Sequence, residues 1–276
     1  MIIQEIAEQS LNFLKKKGIS SARRAVEEML CHALSLKRME LYLDFQRPLN
    51  SQEVDSCRAI LARLAKGEPI QYIVGTVSFY DCEIEVSPDV LIPRPETELL
   101  VDQIVKELKG ADLAGKTLWD VCCGSGCIGI ALKRALPDLR VTLSDISSKA
   151  LNQARKNAEK NGVEVEFLEG NLLEPFEEMT HYLVVNPPYI SEGEYDALSD
   201  SVKLFEPRLA LLGGRDGLDS YRAIARGFKN FLRQGGKMWM EMGYRQGEAV
   251  KELFDGAGNV ERDWSGHDRF FSLEIP

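Results

Sequence analysis

No stretch of this 276-residue sequence approaches the roughly 20 consecutive uncharged apolar residues that a bilayer-crossing helix needs, so a soluble protein is expected. Histidine is scarce. His32, His181 and His267 are scattered, and no Ser-His-Asp set can be assigned from spacing. The six cysteines, Cys31, Cys57, Cys82, Cys122, Cys123 and Cys127, lack the spacing of a disulfide framework. Met1 to Ser10 lack a basic stretch followed by an apolar run, and with the unpaired thiols this predicts a reduced, cytoplasmic protein. Cys122, Cys123 and Cys127 have no second thiol pair or suitably spaced histidine to complete a four-ligand zinc set, so no metal is expected. Positive charge is in deficit as well, with 34 Lys and Arg against 43 Asp and Glu for a net of −9. That excludes blanket attraction to phosphate, which draws on many cation–phosphate contacts. The deficit is uneven: residues 1–75 hold 11 Lys and Arg against 9 Asp and Glu, so any polyanion contact falls there.

What is present is an ordinary globular composition, 44% apolar and 28% charged, which excludes disorder and collagen-like order. No repeat of fixed period or low-complexity segment interrupts it. The first segment, residues 1–74, reads as short helices with recognisable stops. Ile3, Ile6, Leu11 and Leu14 keep helical spacing before Gly18, and Ser20 or Ser21 is expected to cap a helix bearing Ala25, Val26, Met29 and Leu30. Asn50 and Glu53 form the pattern of a capping box ahead of Val54, Cys57, Leu61 and Leu64, with Gly67 closing that helix. Between Ile70 and Ile92 the β-branched and aromatic residues around Asp81 and Ser87-Pro88-Asp89 predict one or two hairpins, giving a linker over residues 75–95. Residues 96–276 alternate strand, turn and helix. Strands are expected at 117–122, 140–144, 163–168, 182–185, 237–242 and 270–275, with helices near 97–109, 127–135, 148–161, 218–233 and 246–254. This is the pattern of a parallel sheet covered on both faces.

In such α/β sheets ligands bind beyond the carboxyl ends of the strands. One strand end reads Asp120-Val121-Cys122-Cys123-Gly124-Ser125-Gly126-Cys127-Ile128-Gly129, in which Gly124, Gly126 and Gly129 satisfy G-x-G-x-x-G. Taken alone, the glycines suggest a dinucleotide with its pyrophosphate at the helix N-terminus, and hence an NAD-binding oxidoreductase. Asp120 argues against a diphosphate, because its carboxylate opposes one. It would attract the ammonium end of a sulfonium-bearing cofactor such as S-adenosylmethionine, directly or through water. Asp145, at the next strand end, has the reach to accept from a ribose diol, or else caps the helix that follows.

A second strand runs Leu183-Val184-Val185 directly into Asn186-Pro187-Pro188-Tyr189. Two prolines remove two backbone donors and fix two φ angles, so this turn is rigid and presents acceptors. A planar NH₂ group could place its hydrogens on the Asn186 side-chain oxygen and the Pro187 carbonyl. Its nitrogen would then be held in line with a methyl donor while positive charge grows on it. Tyr189 is expected to pack on the planar substrate. An exocyclic base amine offers the same NH₂, which keeps a DNA or RNA amino methyltransferase open, although the acidic catalytic segment speaks against a nucleic-acid groove.

Asn186-Pro187-Pro188-Tyr189 and the loop from Asp120 to Gly126 resemble class I S-adenosylmethionine-dependent methyltransferases that modify planar nitrogens. Leu91-Ile92-Pro93-Arg94-Pro95-Glu96-Thr97-Glu98, together with Glu206-Pro207-Arg208, Gly213-Gly214, Asp216-Gly217 and Gly266-His267-Asp268-Arg269, narrows the resemblance to the HemK/PrmC family of release factor N5-glutamine methyltransferases. The resemblance implies a Rossmann-like, mostly parallel seven-stranded sheet with a small N-terminal helical domain that docks the substrate. It implies that Cys122, Cys123, Gly124, Ser125, Gly126, Asp145, Asn171 and Leu172 contact S-adenosylmethionine and that Asn186 to Tyr189 hold the substrate. The implied target is the glutamine of the Gly-Gly-Gln loop in class 1 release factors, with no direct nucleic-acid binding. The chain departs from the family at Cys122, where glycine is usual, and at Asn171 and Leu172, where an acidic residue and an aromatic are frequent. Arg94, Thr97 and Glu98 read equally as a clamp on the cofactor or as a junction ion-pair network.

Overall fold

Helical spacing in the first segment is realised as an apolar stripe on each helix. The computed structural model describes residues 1–19 and 21–276. The chain divides into two units, Met1–Gly75 with Ser199–Phe205, and Thr76–Leu198 with Glu206–Pro276. In the first unit, α1 (Ile3–Lys16) buries Ile3, Ile6 and Leu14 and is followed by Gly18 at φ +77°. The stripe of α2 (Ala22–Leu34) is Ala25, Val26, Met29 and Leu30. Of the two serines expected to cap α2, Ser20 lies outside the described residues, and Ser21 takes the N-cap position without a side-chain hydrogen bond. A short helix, α3 (Arg38–Leu43), was not expected because only Leu41 of it is buried. The capping box forms on α4 (Ser51–Leu64): Glu53 N donates to Asn50 Oδ1 at 2.9 Å and Asn50 N donates to Glu53 Oε2 at 2.9 Å.

At Ile70 the expectation of strand fails, because Ile70–Val74 forms a helical turn, α5. Pro69 fixes the entry at φ −59°, Gly75 ends the turn at φ +83°, and Ile70 and Tyr72 are buried. Burial and these two end conditions override β-branched propensity over five residues. The hairpin comes after it, with β1 (Thr76–Phe79) and β2 (Cys82–Glu85) joined by Tyr80 and Asp81, both left-handed, as a two-residue hairpin turn requires.

The second unit continues with α6 (Pro95–Leu108), β3 (Thr117–Val121), α7 (Cys127–Ala135), β4 (Arg140–Asp145), α8 (Ser148–Lys160), β5 (Glu166–Glu169) and β6 (Thr180–Val185). Beyond these lie α9 (Glu192–Ala197), α10 (Asp200–Lys203), which belongs to the first unit, α11 (Asp219–Gly227), β7 (Leu232–Glu241), α12 (Gly247–Leu253), β8 (Asn259–Arg262) and β9 (Asp268–Glu274). The seven-stranded sheet has the order β5-β4-β3-β6-β7-β9-β8, parallel except where β9 pairs with β7 and β8. Strand order reverses between β3 and β6, which makes their carboxyl ends the switch point where α/β sheets open a ligand crevice. The seventh strand, β8, escaped the pattern because Asn-Val-Glu-Arg is a short polar edge. β7 begins five residues earlier than expected, since Gly235-Gly236 masks its start. α11 ends at Gly227 and continues only as one 3₁₀ turn.

The free edge of β2 is completed by side chains. Glu85 N donates to Asn157 Oδ1 at 2.7 Å and Asn157 Nδ2 donates to Glu85 O at 3.0 Å. One turn on, at the C-cap of α8, Glu83 N donates to Asn161 Oδ1 at 3.1 Å and Asn161 Nδ2 to Glu83 O at 2.9 Å. Asn157 is fully buried and also donates to Ser125 O at 2.9 Å, joining hairpin, helix and glycine loop. Asn157→Leu should therefore lower unfolding stability by about 2–3 kcal/mol, since it orphans buried backbone groups. Asn161→Ala, at a more exposed position, should cost under about 1 kcal/mol. Urea denaturation midpoints of the two variants check this.

Candidate functional site

β3 delivers Asp120 to a fully buried position, where its Oδ2 accepts from Gly129 N at 2.8 Å. A Cβ on Gly129 would collide with Leu143 and stand 3.0 Å from that oxygen, so glycine here permits the approach of α7 to the strand. Among the described residues Oδ1 of Asp120 is buried with no hydrogen-bond partner. Burial raises its carboxyl to about 7, against the Gly129 hydrogen bond, with the nearby Asp145 charge adding to the rise. Directly after β3 the chain turns at Cys122, whose φ of +61° is the conformation glycine adopts freely and a Cβ disfavours by about 1 kcal/mol. Cys122 is thus one of three left-handed positions in this loop, and the other two, Gly124 and Gly126, are glycine. Burial also pushes the Cys122, Cys123 and Cys127 thiols up, which leaves them protonated and weakly nucleophilic.

Asp145 stands at the end of β4, one strand over. Its Oδ2 accepts from Gly124 N at 2.9 Å and its Oδ1 from Ser147 N at 2.9 Å. The helix cap is Ser147, whose Oγ accepts from Ala150 N, so Asp145 ties the glycine loop to the β4 terminus instead of capping α8. Burial raises its carboxyl, and backbone donors from Ser147, Gly124 and Ile146 oppose that.

A cavity opens at these strand ends. Its lining contains Cys122, Cys123, Gly124, Ser125, Asp145, Asn171, Leu172, Asn186 and Pro188, together with Arg94 and Thr97. Asp120, Gly126, Pro187 and Tyr189 are not among the lining residues, and Pro187 is a buried residue between the lining residues Asn186 and Pro188. Gly126 is the left-handed N-cap of α7 at φ +79°. Asn171 is exposed and donates through Nδ2 to Glu174 Oε1 at 3.1 Å, and Leu172 is left-handed at φ +49°. Arg94 pairs with the buried Glu206 at 2.6 Å, and Glu206 Oε2 also accepts from Ile92 N at 3.2 Å. Arg94 is thus held by a neighbouring carboxylate.

The Asn186-Pro187-Pro188-Tyr189 turn leaves β6 at this crevice. Among the described residues no hydrogen bond engages the Asn186 amide or the Pro187 carbonyl, so both acceptors are available. Tyr189 takes a different place from the one its sequence position suggested. Its half-buried ring packs on the core and its hydroxyl donates to Glu241 Oε1 at 3.3 Å. Glu241, the last residue of β7, is buried, and its Oε2 accepts from Thr97 Oγ1 at 2.6 Å. Burial raises the Glu241 carboxyl, opposed by the Thr97 hydrogen bond and the Arg269 charge. Behind the turn, Gln246 Nε2 donates to Tyr189 O at 2.9 Å and its Oε1 accepts from Gly243 N at 2.9 Å. Glu241 and Gln246 escaped the sequence reading. The available signal was an acidic residue inside the apolar run Met238-Trp239-Met240-Glu241-Met242.

Residues 5–75 match the family described as PrmC N-terminal domain, and residues 95–205 match the family described as Methyltransferase small domain. A release factor glutamine methyltransferase of Geobacter sulfurreducens is 39% identical over 272 residues, covering 97% of this chain and 94% of that protein. A protein with the same description from Chlamydia trachomatis serovar L2 is 40% identical over 276 residues, covering 99% and 94%. In fold, the chain is similar to a solved methyltransferase from Pyrococcus furiosus, with a TM-score of 0.53 at 15% identity over 77% of this chain and 96% of that one. Among the described residues no helix is long and apolar enough to cross a membrane.

The Asp120 carboxyl has a consequence for pH. With its folded value near 7 and an ordinary unfolded value of about 4, the folded chain holds a proton that the unfolded chain releases. Its unfavourable contribution is absent below about pH 4, grows by at most ~1.4 kcal/mol per pH unit, and is complete above about pH 7. Asp120→Asn should therefore gain stability relative to wild type between pH 5 and pH 8. Paired urea titrations at those two pH values measure the difference.

Proposed function

The chain belongs to the release factor glutamine methyltransferase family, and from that premise we propose that it transfers a methyl group from S-adenosylmethionine to the side-chain amide nitrogen (N5) of a glutamine. The glutamine is the one in the Gly-Gly-Gln motif of class 1 peptide chain release factors. The observation that carries this reading is the pair of unengaged acceptors at Asn186 and Pro187, on a proline-stiffened turn beside the cavity.

S-adenosylmethionine, when bound, supplies an electrophilic methyl carbon on a sulfonium. The residues present fit such a group. The unpartnered Asp120 Oδ1 places an acidic atom behind the glycine loop, suited to a ligand with an ammonium end. Asp145 lies in the lining to accept from a ribose diol, and Asn171 and Leu172 border the same cavity, Asn171 with an amide that can both donate and accept. Cys122, Cys123, Gly124 and Ser125 form its floor, shaped by Gly126.

The Asn186 side-chain oxygen and the Pro187 carbonyl accept the two hydrogens of the substrate amide, which orients the nitrogen and its reacting electron pair. Both oxygens gain strength as positive charge develops on that nitrogen, and this is differential stabilisation of the transition state. Water takes the proton after transfer, so no side chain need act as a strong base. Pro188 sets the wall of the turn, and Tyr189 anchors it through Glu241. Residues 1–74 dock the protein substrate, and the reaction takes place in the cytoplasm without direct contact to nucleic acid.

Incubation of a purified release factor with the chain and S-adenosylmethionine should add a single methyl to the Gly-Gly-Gln glutamine, located by peptide mass spectrometry. Methyl appearing on DNA or RNA instead would assign the site to a base amine. Asn186→Ala should reduce kcat about 100-fold or more while cofactor affinity falls only a few-fold. Turnover at the wild-type rate would reject the role given to Asn186.

A further inference from the structure

The acceptor turn contains two residues without an N–H, so it cannot hold itself by its own backbone donors and must be fixed from outside. The segment that fixes it runs from the last residue of β7 into the turn beyond it. Glu241 reaches it at one side, accepting from the Tyr189 hydroxyl at 3.3 Å, while its other oxygen accepts from Thr97, a residue of the cavity wall, at 2.6 Å. Five residues later Gln246 reaches it at the other side, donating to the Tyr189 carbonyl at 2.9 Å and to the Gly217 carbonyl at 3.3 Å. The Gln246 amide is itself aimed by Gly243 N, 2.9 Å from its oxygen. Tyr221 completes the support, its hydroxyl donating to the Glu241 main-chain carbonyl at 2.8 Å.

The packing around this arrangement leaves little slack. A Cβ on Gly217 would stand 2.6 Å from Gln246 Nε2 and collide with the Tyr189 carbonyl, and one on Gly213 would stand 2.5 Å from the Pro188 carbonyl. The loop bearing these glycines pairs with Ile190 on both sides, Ile190 N donating to Leu211 O at 2.9 Å and Gly213 N to Ile190 O at 2.8 Å.

We propose that Glu241 and Gln246 are positioning residues for methyl transfer: a two-point brace that sets the Asn186 and Pro187 oxygens against the wall that carries Thr97. The inference rests on the function proposed above. Neither side chain touches substrate in this scheme. Each acts through Tyr189, so its loss misplaces the acceptors without emptying the cavity. An error of a fraction of an ångström at the acceptors lowers the rate of a reaction that needs an aligned nitrogen far more than it lowers binding of the methyl donor.

The test uses the full-length chain, purified release factor and S-adenosylmethionine. Gln246→Ala should lower kcat about 10-fold, the scale of one lost hydrogen bond, with the S-adenosylmethionine Kd from calorimetry unchanged within about twofold. Glu241→Gln, which keeps the shape and can still bond both hydroxyls, should retain turnover within about threefold, whereas Glu241→Leu should not. Because a buried change at Glu241 can unfold the chain, Gln246→Ala decides. Full kcat in that variant overturns the brace, and so does a parallel loss of kcat and cofactor affinity, which marks a general structural role. A wild-type chain that methylates no glutamine overturns the function and the brace together. An active wild type, an inactive Asn186→Ala and a fully active Gln246→Ala would remove the brace alone.

Discussion

Two adjacent prolines at the end of a buried parallel strand impose the constraint around which this site is organised. They free carbonyl oxygens by withholding donors, and the same deficit deprives the turn of the bonds that would hold it. The surrounding structure answers with backbone pairing from Leu211 to Gly213, a glycine-lined approach at Gly217, and side chains from the far end of β7. Rigidity in φ comes from the turn itself, but its placement in space is conferred by segments more than 20 residues away. A sheet whose strand order reverses at β3 and β6 brings these distant pieces to one edge.

The opposite wall follows a similar logic with charge in place of geometry. Asp120 and Asp145 are carboxylates held largely out of water, and each spends part of its accepting capacity on a backbone N–H of the glycine loop or the α7 start. Desolvation raises both carboxyls, the Asp145 charge adds to the rise at Asp120, and a cationic group brought beside them favours their ionised forms. The buried thiols nearby stay protonated for the same electrostatic reason, so nucleophiles that would compete for an electrophilic carbon are silenced by their surroundings.

Much of this was legible in the residues alone. Caps and glycine stops marked α4 and the end of α1 because each rests on contacts within four residues. The Asp-to-glycine loop and the Asn-Pro-Pro turn were visible because strand ends write their chemistry in consecutive positions. What stayed hidden depends on long-range partners. α5 is helical because Ile70 and Tyr72 are buried between Pro69 and Gly75, against their local preference, and β8 is a polar edge with no pattern of its own. Tyr189 was expected to face a substrate, and its partner Glu241 lies 52 positions away. A spacing of that size leaves no periodic trace, and only the odd acidic residue in an apolar strand hinted at it.

The asparagine pair of α8 and its C-cap carries a separate implication. A two-stranded hairpin ordinarily exposes a row of unsatisfied amides that invites another chain to add itself as a third strand. Here carboxamides one helical turn apart take up Glu83 and Glu85 in the manner of a neighbouring strand, so the ribbon is terminated chemically at that border. Because side chains and not main chain perform the closure, this border is withheld from strand addition by only two residue identities, one buried in α8 and one at its C-cap.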